Sequence, residues 1–521
     1  MKEKVKVKED HPVDTTFGAL CLIPPILAII LALVTKQTIL SLFVATWVGS
    51  TIVNGWNPLV GFAKIVSDYV IPSISGNASM LVLVTLAGGM IAMMRNTGAA
   101  EAFATRATKV IDTAKKGQVV TCLSAFIFCY TEPCLMLGTI MRPVTDMVRV
   151  SRAKLSYILD SMGCNLACFS PISSYGPFIS GLIAAELLAA GIQGSEWGIW
   201  LQMLPFNLYS LFAMVTVIVV AAFGLDFGPM RKEEERARKT GKLLADGVEP
   251  LVPEIKNVLP EGYELSLWNF IVPMVSLFVS LFATIFWTGD IAANGLVNCF
   301  RTANITLAIC MAFLGGGIGA GIMGVITGLF SPLKAFDTFV DGMIELINVP
   351  FILICAWSLG TIVKSMGTGD FMVGIVQQYL SPGLVPALVF LFGAFISFAT
   401  GSSWGVWSIM MPIAFPMAVA FDLPLAYVVA SVISGGMFGD QCSPISDTTV
   451  MSSTGGSCNH IVHVMTQLPY GLTVGISAFL GFLFGGLTGQ YMLSIPVTAV
   501  ILYAAMFILT KADSARYAKA A

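Results

Sequence analysis

Residues 443–447 read SPISD, and residues 170–174 read SPISS. Each motif lies inside an apolar run, 425–456 in one case and 155–188 in the other. Such runs are long enough to cross a bilayer, which takes about 20 apolar residues. A proline inside a helix has no N–H for the carbonyl four residues back. Pro444 is therefore expected to free the carbonyl of Asp440, and Pro171 that of Ala167, each as an oxygen ligand. Backbone that leaves the helix at membrane depth survives only where protein or a water-filled cavity covers it. The pair of motifs predicts two broken helices around a shared interior site.

The motifs belong to a longer repeat. NPLVGF (57–62) answers SPLKAF (331–336), and GMIAMMRNTG (89–98) answers GTIVKSMGTG (360–369). TIMRP (139–143) answers SIMMP (408–412), LSY (155–157) answers LAY (425–427), and MLPF (203–206) answers QLPY (467–470). With the SPIS pair, every match keeps its order at a spacing of about 270 residues. Ordered matches at a fixed spacing mean that one unit occurs twice.

The 521 residues are 56% hydrophobic and 11% charged, with a mean hydropathy of +0.83. Soluble domains carry about 25% charged residues. The composition is that of a multi-pass membrane protein embedded in a lipid bilayer. A net charge of −2 gives no basic surface for nucleic acid. The eleven cysteines sit mostly in apolar runs, without metal-ligand spacing, and read as core residues. Membrane helices are expected at 17–35, 38–55, 77–95, 155–188, 200–224, 268–287, 302–330, 349–366, 425–456, 467–487 and 492–510. Two further stretches, 117–141 and 385–415, carry polar interruptions (CYTEPC and ATGSSWG) and read as single spans or re-entrant hairpins.

Charge orients the units. The loops 95–118 and 142–154 hold Arg95, Arg106, Lys109, Lys115, Lys116, Arg142, Arg149, Arg152 and Lys154, whereas 364–387 and 411–424 hold only Lys364. Basic loops stay cytoplasmic, so equivalent loops fall on opposite sides and the units are inverted. The expected fold is an all-α polytopic membrane protein of two inverted-topology repeats with broken helices and re-entrant hairpins. Its parts are a polar N-terminal tail (1–16), a first repeat (17–224), a charged cytoplasmic linker (225–267), a second repeat (268–487), and an extra C-terminal helix and tail (488–521). The linker must be solvated. The C-terminus is placed in the cytoplasm, and the membrane is the inner membrane of a prokaryote. Inverted repeats with interrupted helices are the plan of secondary transporters, whose sites lie near the midplane.

The chemistry at the breaks fits a hard cation. Asp440, Ser443, Ser446, Asp447 and Thr448 form an oxygen-only set without His or Cys. Na⁺ is expected at Asp447, Asp440, Ser443 and Ser446. An ionisable group inside a span costs at least ~2.5 kcal/mol and is functional by default. The position equivalent to Asp447 is Ser174, so Ser170, Ser173 and Ser174 are expected to line the opposite half of the site. Asp160 is a second carrier for an ion or proton. Glu132, at the first hairpin tip, faces Thr400, Ser402 and Ser403 at the second as substrate contacts. His460 and His463 share a helix face and read either as pH sensors at the cytoplasmic mouth or as loop histidines without a role.

The stretch GGMFGDQCSPISDTTVMSSTGGSCNHIVHVMTQLPY (435–470) resembles the NhaC family of Na⁺/H⁺ antiporters, within the wider ion transporter superfamily. TGSSWGVWSIMMPIAFPMA and MRPVTDMVRVSRAKLSYILDS look like the same family. The resemblance implies Na⁺-coupled antiport, a binding role for Asp160, Ser170, Ser173, Asp440, Ser443, Ser446, Asp447 and Thr448, and is consistent with a homodimer. It implies no cofactor beyond Na⁺ as coupling ion. The tip CYTEPC departs from the family, whose members often carry acidic residues followed by Tyr-Phe-Asn there, which leaves the substrate open. The reading is a Na⁺/H⁺ antiporter exchanging Na⁺ and H⁺. The alternative is Na⁺-coupled transport of a small organic solute, a malate/lactate-type carboxylate or an amino acid. A channel lacks a use for the breaks, and an aspartyl protease built on Asp160 and Asp440 lacks a use for their duplication.

Overall fold

A computed structural model describes residues 15–35, 37–98, 111–127, 133–171, 173–250, 266–368, 371, 381–444 and 446–520. The described residues are helical, with no strand among them. The main elements in chain order are α1 (Ile23–Thr35), α2 (Thr38–Val53), α3 (Ile71–Asn96), α4 (Ala114–Ile127), α5 (Pro133–Met147), α6 (Arg152–Ala167), α7 (Tyr175–Ala190), α8 (Leu208–Phe223) and α9 (Gly228–Thr240). The second half supplies α10 (Trp268–Thr288), α11 (Ile305–Ile326), α12 (Pro332–Glu345), α13 (Asn348–Ser365), α14 (Val385–Thr400), α15 (Ser403–Ala420), α16 (Leu425–Cys442), α17 (Asp447–Gly455), α18 (His460–Thr488) and α19 (Ser494–Ala520).

Among the described residues, nine helices are long and apolar enough to cross a membrane. The outer faces of α10 and α19 carry exposed apolar side chains, including Phe278, Val279, Val500 and Phe507, as lipid contact requires. The element order of the first half recurs in the second. A hairpin pair (α4 and α5; α14 and α15) precedes a broken helix (α6 and α7; α16 and α17), and a long helix follows (α8; α18). The halves also pack crosswise. The far limb of each broken helix lies on the second hairpin limb of the other half, α7 against α15 and α17 against α5.

Small residues permit this packing, because close approach of apolar helices depends on them. A Cβ at Gly138 of α5 would fall 2.5 Å from the backbone of Gly455 in α17. A Cβ at Gly435 or Gly439 of α16 would collide with the carbonyls of Phe390 or Ala394 in α14. These glycines therefore set how closely the broken helices approach the hairpins.

Both interrupted stretches resolve into two helices each. At 385–415 the chain turns at Gly401, whose φ of 68° suits glycine, and α14 and α15 pack on one another and on α16. At 117–141 the limbs are α4 and α5, and the tip with Glu132 lies outside the described residues. Both broken helices appear where SPIS predicts them. The freed carbonyls do not stand open, however. The Asp440 carbonyl accepts the Ser443 N–H at 3.0 Å, and the Ala167 carbonyl accepts the Ser170 N–H at 3.3 Å and the Ser173 hydroxyl at 2.6 Å. A tighter last turn and a side chain replace the partner that proline removes.

The first part of the linker forms α9, an amphipathic helix that keeps Lys232, Arg238 and Lys239 exposed while one face docks, a contact the charge density did not foretell. Glu234 is buried, accepting from the Ser151 N–H at 2.8 Å and from Gln118 at 3.0 Å. Just before α9, Asp226 pairs with Lys154 at 2.5 Å in the interior.

Candidate ion and substrate site

The two breaks meet. Ser174 from the first, Asp447 and Thr448 from the second, and Ser402 from the second hairpin tip line one cavity of about 220 Å³. Tyr175, Trp404 and Met451 form its larger walls, with Cys134, Cys164 and Gly163 on the α5–α6 side. Tyr175 meets Trp404 edge-on at 4.9 Å between centroids. Asp447 opens α17 and accepts the Thr448 N–H through Oδ1 at 2.8 Å. Ser446 caps the same helix, accepting the Thr449 N–H at 3.3 Å, and its oxygen lies 2.9 Å from the Thr448 hydroxyl. Capping of this kind satisfies N–H groups that a helix start leaves free.

Asp440 lies in the last turn of α16, within electrostatic reach of Asp447 and Asp160, with Ser403 and Ser446 beside it. Its Oδ1 is buried and has no hydrogen-bond partner among the described residues, and the same is true of the Ser403 hydroxyl. Native proteins rarely leave buried polar atoms unpaired, so this carboxyl oxygen has capacity for a further partner.

Asp160 sits mid-helix in α6 with no exposed surface. Its Oδ2 accepts from Gln467 at 2.5 Å and from Thr449 at 3.2 Å, and its Oδ1 from Ser452 at 3.3 Å. Gln467 also donates to the Gln441 carbonyl at 2.6 Å. The Gln441 side chain accepts from Asn165 and from the Tyr209 hydroxyl, both at 2.9 Å, and donates to Ser161 at 2.6 Å. Asp160 thus ties α6 to α17 and α18, while Gln441 ties α16 to α6 and α8. Among the described residues, no Lys, Arg or His forms an ion pair with Asp160, Asp440 or Asp447.

The remaining expected residues divide. Ser443 donates to the Phe398 carbonyl at the end of α14 at 2.7 Å. Ser173 is occupied locally: it donates to carbonyls of the break and accepts the N–H groups of Tyr175 and Gly176 at 3.2 and 3.3 Å. Ser170 is buried within the same break. Thr400 bonds back to the Ile396 carbonyl at 2.8 Å, as hydroxyls inside helices do. Ser402 caps α15 and still faces the cavity.

Gln441, Gln467, Thr449, Ser452 and Tyr209 enter the site without having been singled out from sequence. Thr449 and Ser452 stand three apart on α17 and share a face, which is a readable signal. Glu186 was also missed. It is buried in α7 and lines a second cavity of about 200 Å³ with Gly360 and Lys364. A lone Glu in ISGLIAAELLAAG is itself the signal.

The Na⁺/H⁺ antiporter family matches residues 166–487. An uncharacterized protein of Haemophilus influenzae is 30% identical, over 96% of this chain and 97% of that one. The malate-2H⁺/Na⁺-lactate antiporter of Bacillus subtilis is 24% identical over 36% of this chain and 40% of its own length. Among solved structures, the YdaH transporter of Alcanivorax borkumensis superposes with a TM-score of 0.52 at 13% identity, covering 82% of this chain and 90% of that one. That likeness concerns the fold.

Proposed function

The chain belongs to the Na⁺/H⁺ antiporter family, and we propose that this multi-pass membrane transporter exchanges Na⁺ for H⁺ by alternating access at its two helix breaks. One observation carries the reading: Asp160 and Asp440 are buried, Asp447 stands beside Asp440 on the cavity wall, and no basic side chain pairs with any of them among the described residues. Each ionised carboxylate at membrane depth costs at least ~2.5 kcal/mol. A site with all three charged and nothing bound is therefore disfavoured. Na⁺ or protons offset the charge, and a site that changes sides only when loaded couples the two flows.

In this reading Na⁺ is cargo. Asp447, Asp440, Ser443, Ser446 and Thr448 supply oxygens, with Ser174 across the cavity as a neutral wall. Both Asp440 and Asp447 exchange Na⁺ for a proton. Asp160, held by the neutral donors Gln467, Thr449, Ser452 and Cys164, orders α17 around the site. The basic loops and the Lys511 and Arg516 tail support a cytoplasmic linker and C-terminus in a prokaryotic inner membrane.

The test is Na⁺-gradient-driven proton movement in proteoliposomes without organic solute. Asp440→Asn and Asp447→Asn should each lower the flux at least tenfold. Robust wild-type flux that survives both substitutions would refute the assignment. A cavity of about 220 Å³ walled by Tyr175 and Trp404 exceeds the needs of a bare ion. Absence of wild-type flux that is restored by a small carboxylate would favour organic-acid exchange at the same site.

A further inference from the structure

A chain of hydrogen bonds leads away from Asp160 on the linker side of the bundle. Gln467 Nε2 lies 2.5 Å from Asp160 Oδ2 and 2.6 Å from the Gln441 carbonyl. Gln467 Oε1 lies 3.0 Å from His463 Nε2. His463 Nδ1 lies 2.8 Å from Ser453 Oγ, and Ser453 Oγ lies 3.0 Å from His460 Nδ1. His460 Nε2 lies 2.6 Å from the Pro444 carbonyl in the second break. His463 is fully buried and His460 half-buried.

Donor counting fixes most hydrogens. The Gln467 nitrogen faces a carboxylate and a carbonyl, both acceptors, so its oxygen must face His463. His463 Nε2 therefore carries a hydrogen. His460 Nε2 faces a carbonyl and must carry one too. If both rings were neutral, both Nδ1 atoms would be bare acceptors. Both look at the single hydroxyl of Ser453, which has one hydrogen and a third acceptor, the Thr449 carbonyl at 2.8 Å. One hydrogen cannot serve both rings, so one Nδ1 would face an oxygen lone pair. A single added proton removes the conflict. His460 Nδ1–H then donates to Ser453 Oγ, and the Ser453 hydroxyl donates to His463 Nδ1. A second added proton would put two cations on either side of one hydroxyl.

We infer that His460, Ser453 and His463 form a binding site for one proton, shared across the Ser453 hydroxyl and lying outside the carboxylate cluster. The proton rests on His460, the more exposed ring. It reaches His463 when the Ser453 hydroxyl accepts the His460 hydrogen and passes its own to His463. No bond to carbon changes, and the charge moves inward by one residue. Gln467 does not relay the proton, because an amide has no exchangeable lone-pair site of that kind. It holds the His463 tautomer and sets an oriented amide dipole between that ring and Asp160. His460 meanwhile ties the site to the backbone of the second break.

The titratable and charged groups around the pair are few. Asp160 and Arg152 come from α6, with Arg152 donating to the Gly456 carbonyl and to Asp146. Asp440 and Asp447 flank the break that His460 holds. Glu233 of α9 acts on Cys458, and the Glu249 carbonyl accepts from Asn459. Among the described residues no carboxylate bonds either ring directly. A role for this proton in coupling rests on the antiport reading, but the proton site itself does not.

The chain has three histidines, so selective ¹⁵N-histidine labelling of the full chain in lipid nanodiscs gives a short spectrum. At pH 7 the ring nitrogens of His460 and His463 should show three hydrogens on four atoms, assigned with His460→Asn and His463→Asn. Ser453→Ala should reduce the count to two. His460→Asn should leave His463 neutral with its hydrogen on Nε2. Two hydrogens on the wild-type pair at pH 7, or a count unchanged by Ser453→Ala, would overturn the inference. These readings need no transport, so they stand apart from any failure of Na⁺/H⁺ exchange.

Discussion

The buried pair of Lys154 and Asp226 yields a prediction whose asymmetry can be worked out from the structure. The two atoms lie 2.5 Å apart on side chains that are 0% and 6% exposed. Removing one partner of a buried pair costs about 3–5 kcal/mol, because the other charge is left without compensation. The two removals are not equivalent. Lys154→Met leaves Asp226 with Arg238 at 3.6 Å, a full counter-charge on a more exposed side chain. Asp226→Leu leaves the Lys154 ammonium beside the rings of Tyr157 and Tyr470, 5.6 and 5.9 Å from their centroids, with no carboxylate in an ion pair with it among the described residues. Such cation–ring contacts return about 0.5–2 kcal/mol. Lys154→Met should therefore cost about 3 kcal/mol and Asp226→Leu about 1–2 kcal/mol more. The double substitution exchanges an ion pair for apolar packing and should fall within about 1 kcal/mol of wild type. Unfolding of the detergent-solubilised protein by denaturant titration measures all three, with trypsin cleavage at Arg231 and Lys232 reporting release of α9. A double variant whose loss equals the sum of the single losses, or Lys154→Met as the worse single change, would refute the pairing and the docking of the linker that it secures.

Further outcomes follow from the same geometry. Gly138→Val places a branched side chain against the Gly455 backbone, and overpacking of this kind costs about 1–3 kcal/mol; exchange activity should fall well below that of Gly117→Ala, whose Cβ meets side-chain methyls of Val148 and Ile111 and no backbone, and equal activity would show that α5 and α17 do not cross there. The thiols of Cys134 and Cys164 lie 3.3 Å apart between α5 and α6, so mild oxidation of the purified protein should give an intrachain cross-link visible by peptide mass mapping and absent in Cys164→Ser. Gln467→Leu removes donors to both Asp160 and the Gln441 carbonyl, at about 1–3 kcal/mol for each acceptor left unpaired; denaturant titration should register a loss of at least that order, whereas a neutral result would separate Gln467 from the Asp160 cluster.

The parts of this architecture legible in the sequence are those written locally. SPIS marks both breaks because proline acts on its own helix, and Gly401 marks a hairpin because its left-handed conformation is a property of one residue. Asp447 facing the same cavity as Ser174 follows from the repeat alone. The rest depends on partners far along the chain. Asp160 was readable as an interior carboxylate, but its donors Thr449, Ser452 and Gln467 lie 289 to 307 residues away. Nothing near residue 160 announces them. The freed carbonyls were a wrong expectation because proline's missing donor was counted and the 3.0–3.3 Å bonds that refill the turn were not. The linker looked solvated because its charges were read as a composition. Asp226 and Glu234 have individual buried partners, which composition does not reveal.

The two breaks are alike in backbone and unlike in charge, and the difference bears on mechanism. A carboxylate at position 174 as well as at 447 would put a second acid on the wall of one cavity of about 220 Å³, with Asp440 near by. The repulsion among acids there would then hold protons on the site in competition with Na⁺. Ser174 keeps the first break neutral, so the charge is concentrated on the second-half residues Asp440 and Asp447, with Asp160 reaching in from the first half. The proton site at His460 and Ser453 touches only the second break, through the Pro444 carbonyl. In the proposed exchange, charge, cation ligands and proton storage therefore gather on the α16–α17–α18 side, while α6 and α7 supply a neutral wall and one fixed acid. Moving a positive charge from His460 to His463 changes the field at Asp160 without displacing the cation ligands. Substitutions at the histidines should accordingly alter the pH dependence of exchange more than its Na⁺ affinity, and the reverse should hold at Asp447. A His463→Gln variant that lost Na⁺ affinity as severely as Asp447→Asn, with its pH profile unchanged, would show that the two sites are one.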